Sequence, residues 1–168
     1  MTATDDLLAA NRNLAVVRTP TGPLPEAAPR LRVAIVACMD ARLDPAAALG
    51  LRSGDAHVIR NAGGAVTDDV IRSLAISQRL LGTREVMLIH HTRCGMQSFT
   101  EDDLHDEIER DLGIRPPWRA ETFDDLDADV RQTIRRVIES PFLAHTEVVR
   151  GFVYDVDTGL LREIDGQS

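Results

Sequence analysis

The chain has 168 residues, 43% of them hydrophobic and 27% charged, which is the size and composition of one globular domain and excludes a disordered protein. Its net charge of -8 at pH 7 argues against a nucleic-acid-binding protein, because its overall field would repel phosphate groups. No apolar run approaches the roughly 18 residues that a membrane-spanning helix needs, so a membrane protein is not expected.

The first 30 residues predict a helix followed by an extended arm. Apolar residues recur at helical spacing between Asp5 and Val17, which indicates a short amphipathic helix. Residues 19–30 contain four prolines, which is typical of an extended connector. The helix can pack against its own domain or against a second subunit, and the sequence leaves both open. Aspartates at positions 5 and 6 stand where a secretory signal would carry positive charge, so we expect a cytoplasmic protein.

The next part of the chain predicts a strand–helix–strand unit. Residues 31–38 and 85–91 are continuous apolar runs, typical of strands that are buried on both faces of a parallel sheet. A further strand-like run covers residues 56–64. Between the strands, the spacing predicts a helix over 68–81, with Thr67 as its cap and Gly82 as its end. This order favours a parallel sheet with a right-handed crossover.

Two further helices and a terminal hairpin follow. Helical spacing of apolar residues predicts one helix that begins at Thr100 and ends at Gly113, and another from about Phe123 to Ser140. Residues 147–164 form two strand-like runs around a turn, which predicts an antiparallel edge strand. We therefore expect a single α/β domain over residues 1–168, with about four parallel strands, an antiparallel edge strand and flanking helices.

The chain has only two cysteines, Cys38 and Cys94. A structural disulfide is disfavoured in a reducing compartment, so metal binding or catalysis is the stronger interpretation. Cys38 ends the first predicted strand, and His91 ends the third, shortly before Cys94. Two thiolates and an imidazole suit Zn²⁺, which prefers sulfur and nitrogen ligands in a tetrahedron. The fourth position is then either open to water or occupied by Asp40.

Four segments together carry a resemblance to a known family. They are CMDARLD at 38–44, RNAGG at 60–64, HHTRCG at 90–95 and VRGFVYDVDTG at 149–159. In order and spacing they resemble the β class of carbonic anhydrases, particularly its short bacterial members. The resemblance implies that Cys38, His91 and Cys94 bind one zinc ion per chain. It also implies that Asp40 and Arg42 form a catalytic pair, in which Arg42 holds Asp40 away from the zinc in an open state. Without that ion pair, Asp40 becomes the fourth zinc ligand of a closed state.

This resemblance implies a zinc lyase that reversibly hydrates CO₂ to bicarbonate and a proton, with a zinc-bound hydroxide as the nucleophile. In carbonic anhydrases with three histidine ligands, zinc lowers the pKa of bound water to about 7. Asp40, fixed by Arg42, is expected to accept a hydrogen bond from the hydroxide and orient it. The resemblance further implies a homodimer or homotetramer, with the substrate cleft near the subunit interface.

Two other functions remain open at this point. The same zinc site can serve a hydrolase of carbonyl sulfide or carbon disulfide. Alternatively, Cys38 and Cys94 can form a thiol switch in a non-enzymatic zinc or redox sensor, which leaves Asp40 and Arg42 without a role.

Four histidines lie outside the predicted ligand group. We expect His90 to be structural, because it points to the opposite side of its strand from His91. His57, His105 and His145 are each expected at the surface, although any of them can transfer protons.

Overall fold

The computed structural model describes residues 2–17 and 25–166. They form a five-stranded sheet in the order β2-β1-β3-β4-β5. The first four strands are parallel, and β5 pairs antiparallel with β4 at the edge. The predicted α/β fold class is therefore confirmed. In chain order the elements are α1 (Ala3–Val17), β1 (Val33–Cys38), α2 (Pro45–Leu49), β2 (His57–Asn61), α3 (Asp68–Leu81), β3 (Glu85–His91), α4 (Glu101–Leu112), α5 (Leu126–Ile138), β4 (Val148–Tyr154) and β5 (Leu161–Ile164).

The core covers both faces of the sheet, which explains the continuous apolar runs. Residues 34–37 of β1 have no exposed surface. On one face, apolar side chains of α3 and α5 pack against the sheet. On the other face, Leu43 and Met96 pack around the two cysteines. Because β1 and β3 are parallel neighbours, with Ala37 opposite Ile89, their carboxyl ends meet at one edge of the sheet.

Helix boundaries follow the capping residues. The Thr67 hydroxyl accepts a hydrogen bond from the Val70 N–H, and α3 ends at Gly82 in the left-handed conformation, as predicted. The prediction that α5 begins near Phe123 is wrong, because Asp125 caps the helix by accepting from the Ala128 N–H. The short helix α2 was not predicted. Its signals are Asp44 as N-cap, Pro45 in the first turn and Gly50 at its end.

Helix α1 lies outside the core. Every residue from 2 to 16 is exposed, so within the described residues this helix does not pack against its own domain. The predicted connector over 19–30 lies partly outside the described residues, which resume at Pro25. From there the chain is fixed by a hydrogen bond between His57 Nε2 and the Ala27 carbonyl at 2.9 Å, and by the Arg30–Asp55 ion pair. None of the helices that the structure describes is both long and apolar enough to cross a bilayer.

Candidate metal centre

The three predicted ligand side chains meet at the carboxyl ends of β1 and β3. Cys38 Sγ lies 3.9 Å from Cys94 Sγ. The potential ligand atoms of Cys38, His91 and Cys94 all lie within 4.8 Å of one another, and all three residues are buried. Both cysteines are free thiols rather than a disulfide. No other group of this kind occurs in the described part of the chain.

The geometry of this group fits a tetrahedral zinc ion. Two sulfurs that are each about 2.3 Å from one tetrahedral ion lie roughly 3.8 Å apart, close to the observed distance. His91 Nδ1 lies 3.0 Å from the Thr92 carbonyl oxygen, so Nδ1 carries the proton and donates it to that oxygen. The lone pair is therefore on Nε2, which is buried and has no hydrogen-bond partner among the described residues. A metal ion would satisfy it.

The electrostatics of the centre favour a thiolate at Cys38, a protonated thiol at Cys94 and a His91 imidazole that is protonated more readily than usual. The hydrogen bond from Cys94 lowers the pKa of Cys38, and His91 lowers it further against the effect of burial. The same hydrogen bond and burial raise the pKa of Cys94. Burial is the largest effect on His91 and opposes its ionisation, but the nearby Cys38 sulfur, the Thr92 carbonyl and the Asp40 carboxylate together outweigh burial and raise the pKa of the imidazole. The lowered pKa of Cys38 thus places one thiolate at the centre, where a divalent cation would bind.

Asp40 and Arg42 form a bidentate ion pair next to the ligand group. Arg42 Nε donates to Asp40 Oδ1 at 2.9 Å, and Nη2 donates to Oδ2 at 2.7 Å. Hydrogen bonds from the Arg42 side chain and backbone hold the pKa of the Asp40 carboxyl well below its usual range. Asp40 Oδ2 also lies 3.7 Å from His91 Nε2. The carboxylate is therefore ionised and lies close to the position where a metal-bound ligand would sit.

Arg60 supports the centre and was not recognised from the sequence. Its Nε donates to the Cys38 carbonyl at 3.0 Å, and its Nη2 donates to the Asp40 carbonyl at 2.7 Å. These bonds fix the backbone on both sides of Met39. Arg60 lies on β2, where residues alternate between exposed and half-buried, so its side chain looks like an ordinary solvent-facing arginine. Its position in the RNAGG segment was the one signal that the sequence offered.

Gly64 allows its own backbone to lie close to the backbones of β1 and β3, next to Cys38 and Ile89. It has a left-handed φ of +72°, and a Cβ atom there would lie 2.9 Å from the Cys38 nitrogen and 3.1 Å from the Ile89 carbonyl oxygen. Both contacts are with backbone atoms of neighbouring strands, so they cannot be relieved by a side-chain rotation. Only glycine fits this position.

We expect Gly64→Ala to lower the free energy of unfolding by roughly 2–4 kcal/mol, because it adds both a backbone clash and a disfavoured φ. The change is measured by chemical denaturation. Gly82→Ala is the matched control: Gly82 has a similar φ of +74°, but a Cβ atom added there would have no neighbouring atom within 4 Å. That variant should lose only about 1 kcal/mol. Equal losses in the two variants would show that close packing at Gly64 is unimportant.

The remaining histidines lie outside the ligand group. His90 is fully buried, with Nδ1 3.0 Å from the Asp129 carboxylate, as expected of a structural residue. The prediction of a surface position is wrong for His105, which is only 8% exposed. The Trp118 ring packs edge-on against its imidazole at 5.5 Å, and Glu101 lies 3.4 Å from Nε2. The other two, His57 and His145, are half-buried.

Comparisons with known proteins agree with this geometry. A family model described as carbonic anhydrase matches residues 33–161. Beta-carbonic anhydrase 1 of Mycobacterium tuberculosis is 57% identical over 164 residues, which cover 98% of this chain and 99% of that protein. The crystal structure of carbonic anhydrase from Streptococcus mutans is 44% identical and has a TM-score of 0.90, covering 98% of this chain and 99% of its own. Carbon disulfide hydrolase of Acidithiobacillus thiooxidans is 35% identical over 152 residues, which cover 78% of this chain and 76% of that protein.

The matched region extends from the first residue of β1 to the first residue of β5, so it includes every residue of the candidate centre. Identity to the mycobacterial relative extends over nearly the whole of both chains. The chain belongs to the β-carbonic anhydrase family.

Proposed function

We propose that this chain is a carbonic anhydrase that reversibly hydrates CO₂ to bicarbonate and a proton, with zinc bound by Cys38, His91 and Cys94. The observation that carries the proposal is the buried sulfur–nitrogen–sulfur group lying beside an ionised Asp40 carboxylate. The family is zinc-dependent. Three protein ligands with a fourth position available are the arrangement of a catalytic rather than a structural zinc site.

The residues of the centre have distinct roles in this proposal. When bound, zinc supplies the Lewis acidity that makes water a nucleophile near neutral pH. Asp40 accepts a hydrogen bond from the attacking water and directs its lone pair towards the carbon of CO₂. Because its pKa is held low, the carboxylate acts as an acceptor throughout the neutral pH range. Arg42 acts through Asp40, since its two hydrogen bonds fix the direction of the carboxylate.

We also propose that Asp40 becomes the fourth metal ligand when its bonds to Arg42 are lost. Its Oδ2 already lies 3.7 Å from His91 Nε2, so a rotation of the side chain brings it to the metal position. The centre then has an open state, in which Arg42 holds Asp40, and a closed state without room for the substrate water.

The carbon disulfide hydrolases are the second candidate, because relatives with that activity share the fold and the family. The chain is 57% identical to a carbonic anhydrase but 35% identical to a carbon disulfide hydrolase, and this difference favours CO₂ as the substrate. A thiol sensor is less well supported, because it gives no role to the ordered Asp40–Arg42 pair.

The test is stopped-flow CO₂ hydration across roughly pH 6.5 to 9, with zinc content measured on the same sample. We expect activity in zinc-loaded protein, its loss after chelation and its return when zinc is restored. Carbon disulfide is assayed in parallel through release of hydrogen sulfide. Stoichiometric zinc without CO₂ hydration would overturn the proposal. Faster turnover of carbon disulfide would favour the hydrolase, and reversible disulfide formation without any turnover would favour the sensor.

We propose that the functional unit is a homodimer or a larger homo-oligomer in which α1 packs on a second copy. An isolated helix of 15 residues is only marginally stable in water, so α1 needs a packing partner. Four of its large apolar side chains are exposed: Leu7 by 70%, Leu8 by 50%, Leu14 by 66% and Val16 by 86%.

The two free buried cysteines also support a reducing location such as the cytoplasm.

We expect the double variant Leu7→Glu/Leu14→Glu to dissociate the oligomer, because it places two charges on one apolar side of α1. Sedimentation velocity measures the change in mass. Asn13→Glu is the control, since it adds charge to the same helix on a different face. A wild-type monomer, or a double variant with unchanged mass, would contradict the proposal.

A further inference from the structure

The orientation of Arg42 depends on a carbonyl group outside its own loop. Its Nη2 donates to Asp40 Oδ2 and also to the Arg93 carbonyl oxygen at 2.9 Å. Arg93 immediately precedes Cys94, so the Arg42 guanidinium links the segment that follows Cys38 to the segment that carries Cys94. A shift of the Arg93 carbonyl would therefore turn the guanidinium and, with it, the Asp40 carboxylate.

Arg93 has a backbone conformation that its neighbours must maintain. Its φ is 56°, in the left-handed region that a residue with a side chain adopts only at a cost. The last residue of β4 and the connection from β4 to β5 supply three contacts that hold this loop. The Thr92 N–H donates to the Tyr154 carbonyl at 2.9 Å, and the Val156 N–H donates to Thr92 Oγ1 at 3.1 Å. The third contact is an ion pair between the Arg93 guanidinium and the Asp157 carboxylate.

Asp157 is itself fixed within the turn. Asp155 Oδ1 accepts hydrogen bonds from the Asp157 N–H at 2.8 Å and from the Thr158 N–H at 2.9 Å. The Gly159 N–H donates to the Asp155 carbonyl at 2.8 Å. The carboxylate that meets Arg93 therefore projects from an ordered turn, and its position does not depend on Arg93 alone.

The Arg93–Asp157 pair has little to contribute to stability. The two side chains are 60% and 68% exposed, and solvent-exposed ion pairs add little to the free energy of unfolding. Its location is therefore more informative than its strength. The ion pair joins the β4–β5 hairpin to Arg93, and the carbonyl oxygen of Arg93 accepts a hydrogen bond from Arg42.

We propose that Arg93 and Asp157 are positioning residues for the Asp40–Arg42 pair. Their ion pair, the loop clamp, holds the Arg93 carbonyl where Arg42 donates to it, and so keeps Asp40 away from the metal. The inference rests on the proposed CO₂ hydration only for its kinetic readout. Without the clamp, the Arg93 loop samples other backbone conformations, Arg42 loses its third acceptor, and the centre spends more time closed.

The test compares Asp157→Ala with wild type, using stopped-flow CO₂ hydration and the visible absorption of cobalt-substituted protein. An exposed ion pair shifts an equilibrium by up to about fivefold, so we expect kcat to fall by about that factor. KM, the melting temperature and zinc content should not change, because the clamp contacts neither substrate nor ligand side chains. The cobalt spectrum should change towards that of a metal centre with an added carboxylate ligand.

Two further variants separate positioning from a general effect of the mutation. Asp157→Glu keeps the charge and should restore most of kcat. The exchange Arg93→Asp/Asp157→Arg reverses the pair and should recover kcat relative to Arg93→Asp alone. An unchanged kcat and cobalt spectrum in Asp157→Ala would overturn the inference, as would failure of both rescue variants. If wild type itself does not hydrate CO₂, the proposed function fails, and the cobalt spectra of the variants still test the clamp.

Discussion

Replacing Cys38 with serine is expected to abolish zinc binding and, with it, all CO₂ hydration above the uncatalysed rate. A serine hydroxyl stays protonated near neutral pH and does not replace a thiolate as a zinc ligand. Only Cys94 and His91 would remain, and two ligands hold zinc far more weakly than three. Removing the ligand should also remove the stabilisation that zinc gives the folded protein, so added zinc should no longer raise the melting temperature.

Zinc content after dialysis, melting temperature with and without zinc, and stopped-flow rates measure the effect of Cys38→Ser. Met39→Leu is the control, because Met39 is the next residue but its side chain is 64% exposed and is not part of the ligand group. That variant should retain zinc and activity. Stoichiometric zinc in Cys38→Ser would show that the sulfur–nitrogen–sulfur group is not the metal centre.

Replacing Arg42 with alanine is expected to separate metal binding from turnover. Arg42 makes no hydrogen bond to the side chains of Cys38, His91 or Cys94, so zinc content should stay the same. Asp40 would lose the two side-chain hydrogen bonds that direct its carboxylate. Misplacing a catalytic group by about 1 Å costs on the order of a hundredfold in rate, and we expect a loss of that size in kcat.

Arg42→Lys should recover little activity, because an ammonium group cannot form the bidentate contact of a guanidinium. Arg72→Ala serves as the control, since it removes an exposed arginine–aspartate pair within α3 that includes no residue of the candidate centre. Full CO₂ hydration by Arg42→Ala would contradict the proposed role of the Asp40–Arg42 pair.

The sequence predicted the features that depend on local patterns. Continuous apolar runs identified β1 and β3, because strands covered on both faces have no polar side. Once those strands were adjacent, Cys38 and His91 had to lie at the same edge of the sheet, so the ligand group could be predicted before its geometry was known. The predicted cap Thr67 likewise acts through a residue three positions away.

Features that depend on distant contacts were not predictable in the same way. Arg60 acts on two backbone carbonyls of another strand, and an arginine that binds carbonyl groups has no sequence pattern of its own. His105 is buried because the loop after α4 brings Trp118 against it. The Arg93–Asp157 pair joins residues that are 64 positions apart. In each case the contact that decides the role of the residue depends on tertiary packing and not on residues nearby in the sequence.

The separation of Cys38 and Cys94 along the chain has a consequence for when a metal ion could bind to them. Cys38 and Cys94 are 56 residues apart, and their sulfur atoms meet only after β3 has paired with β1. A newly synthesised chain therefore has no high-affinity metal site until this part of the sheet has formed. Zinc held by Cys38, His91 and Cys94, as proposed, would therefore be acquired only after β1 and β3 have paired.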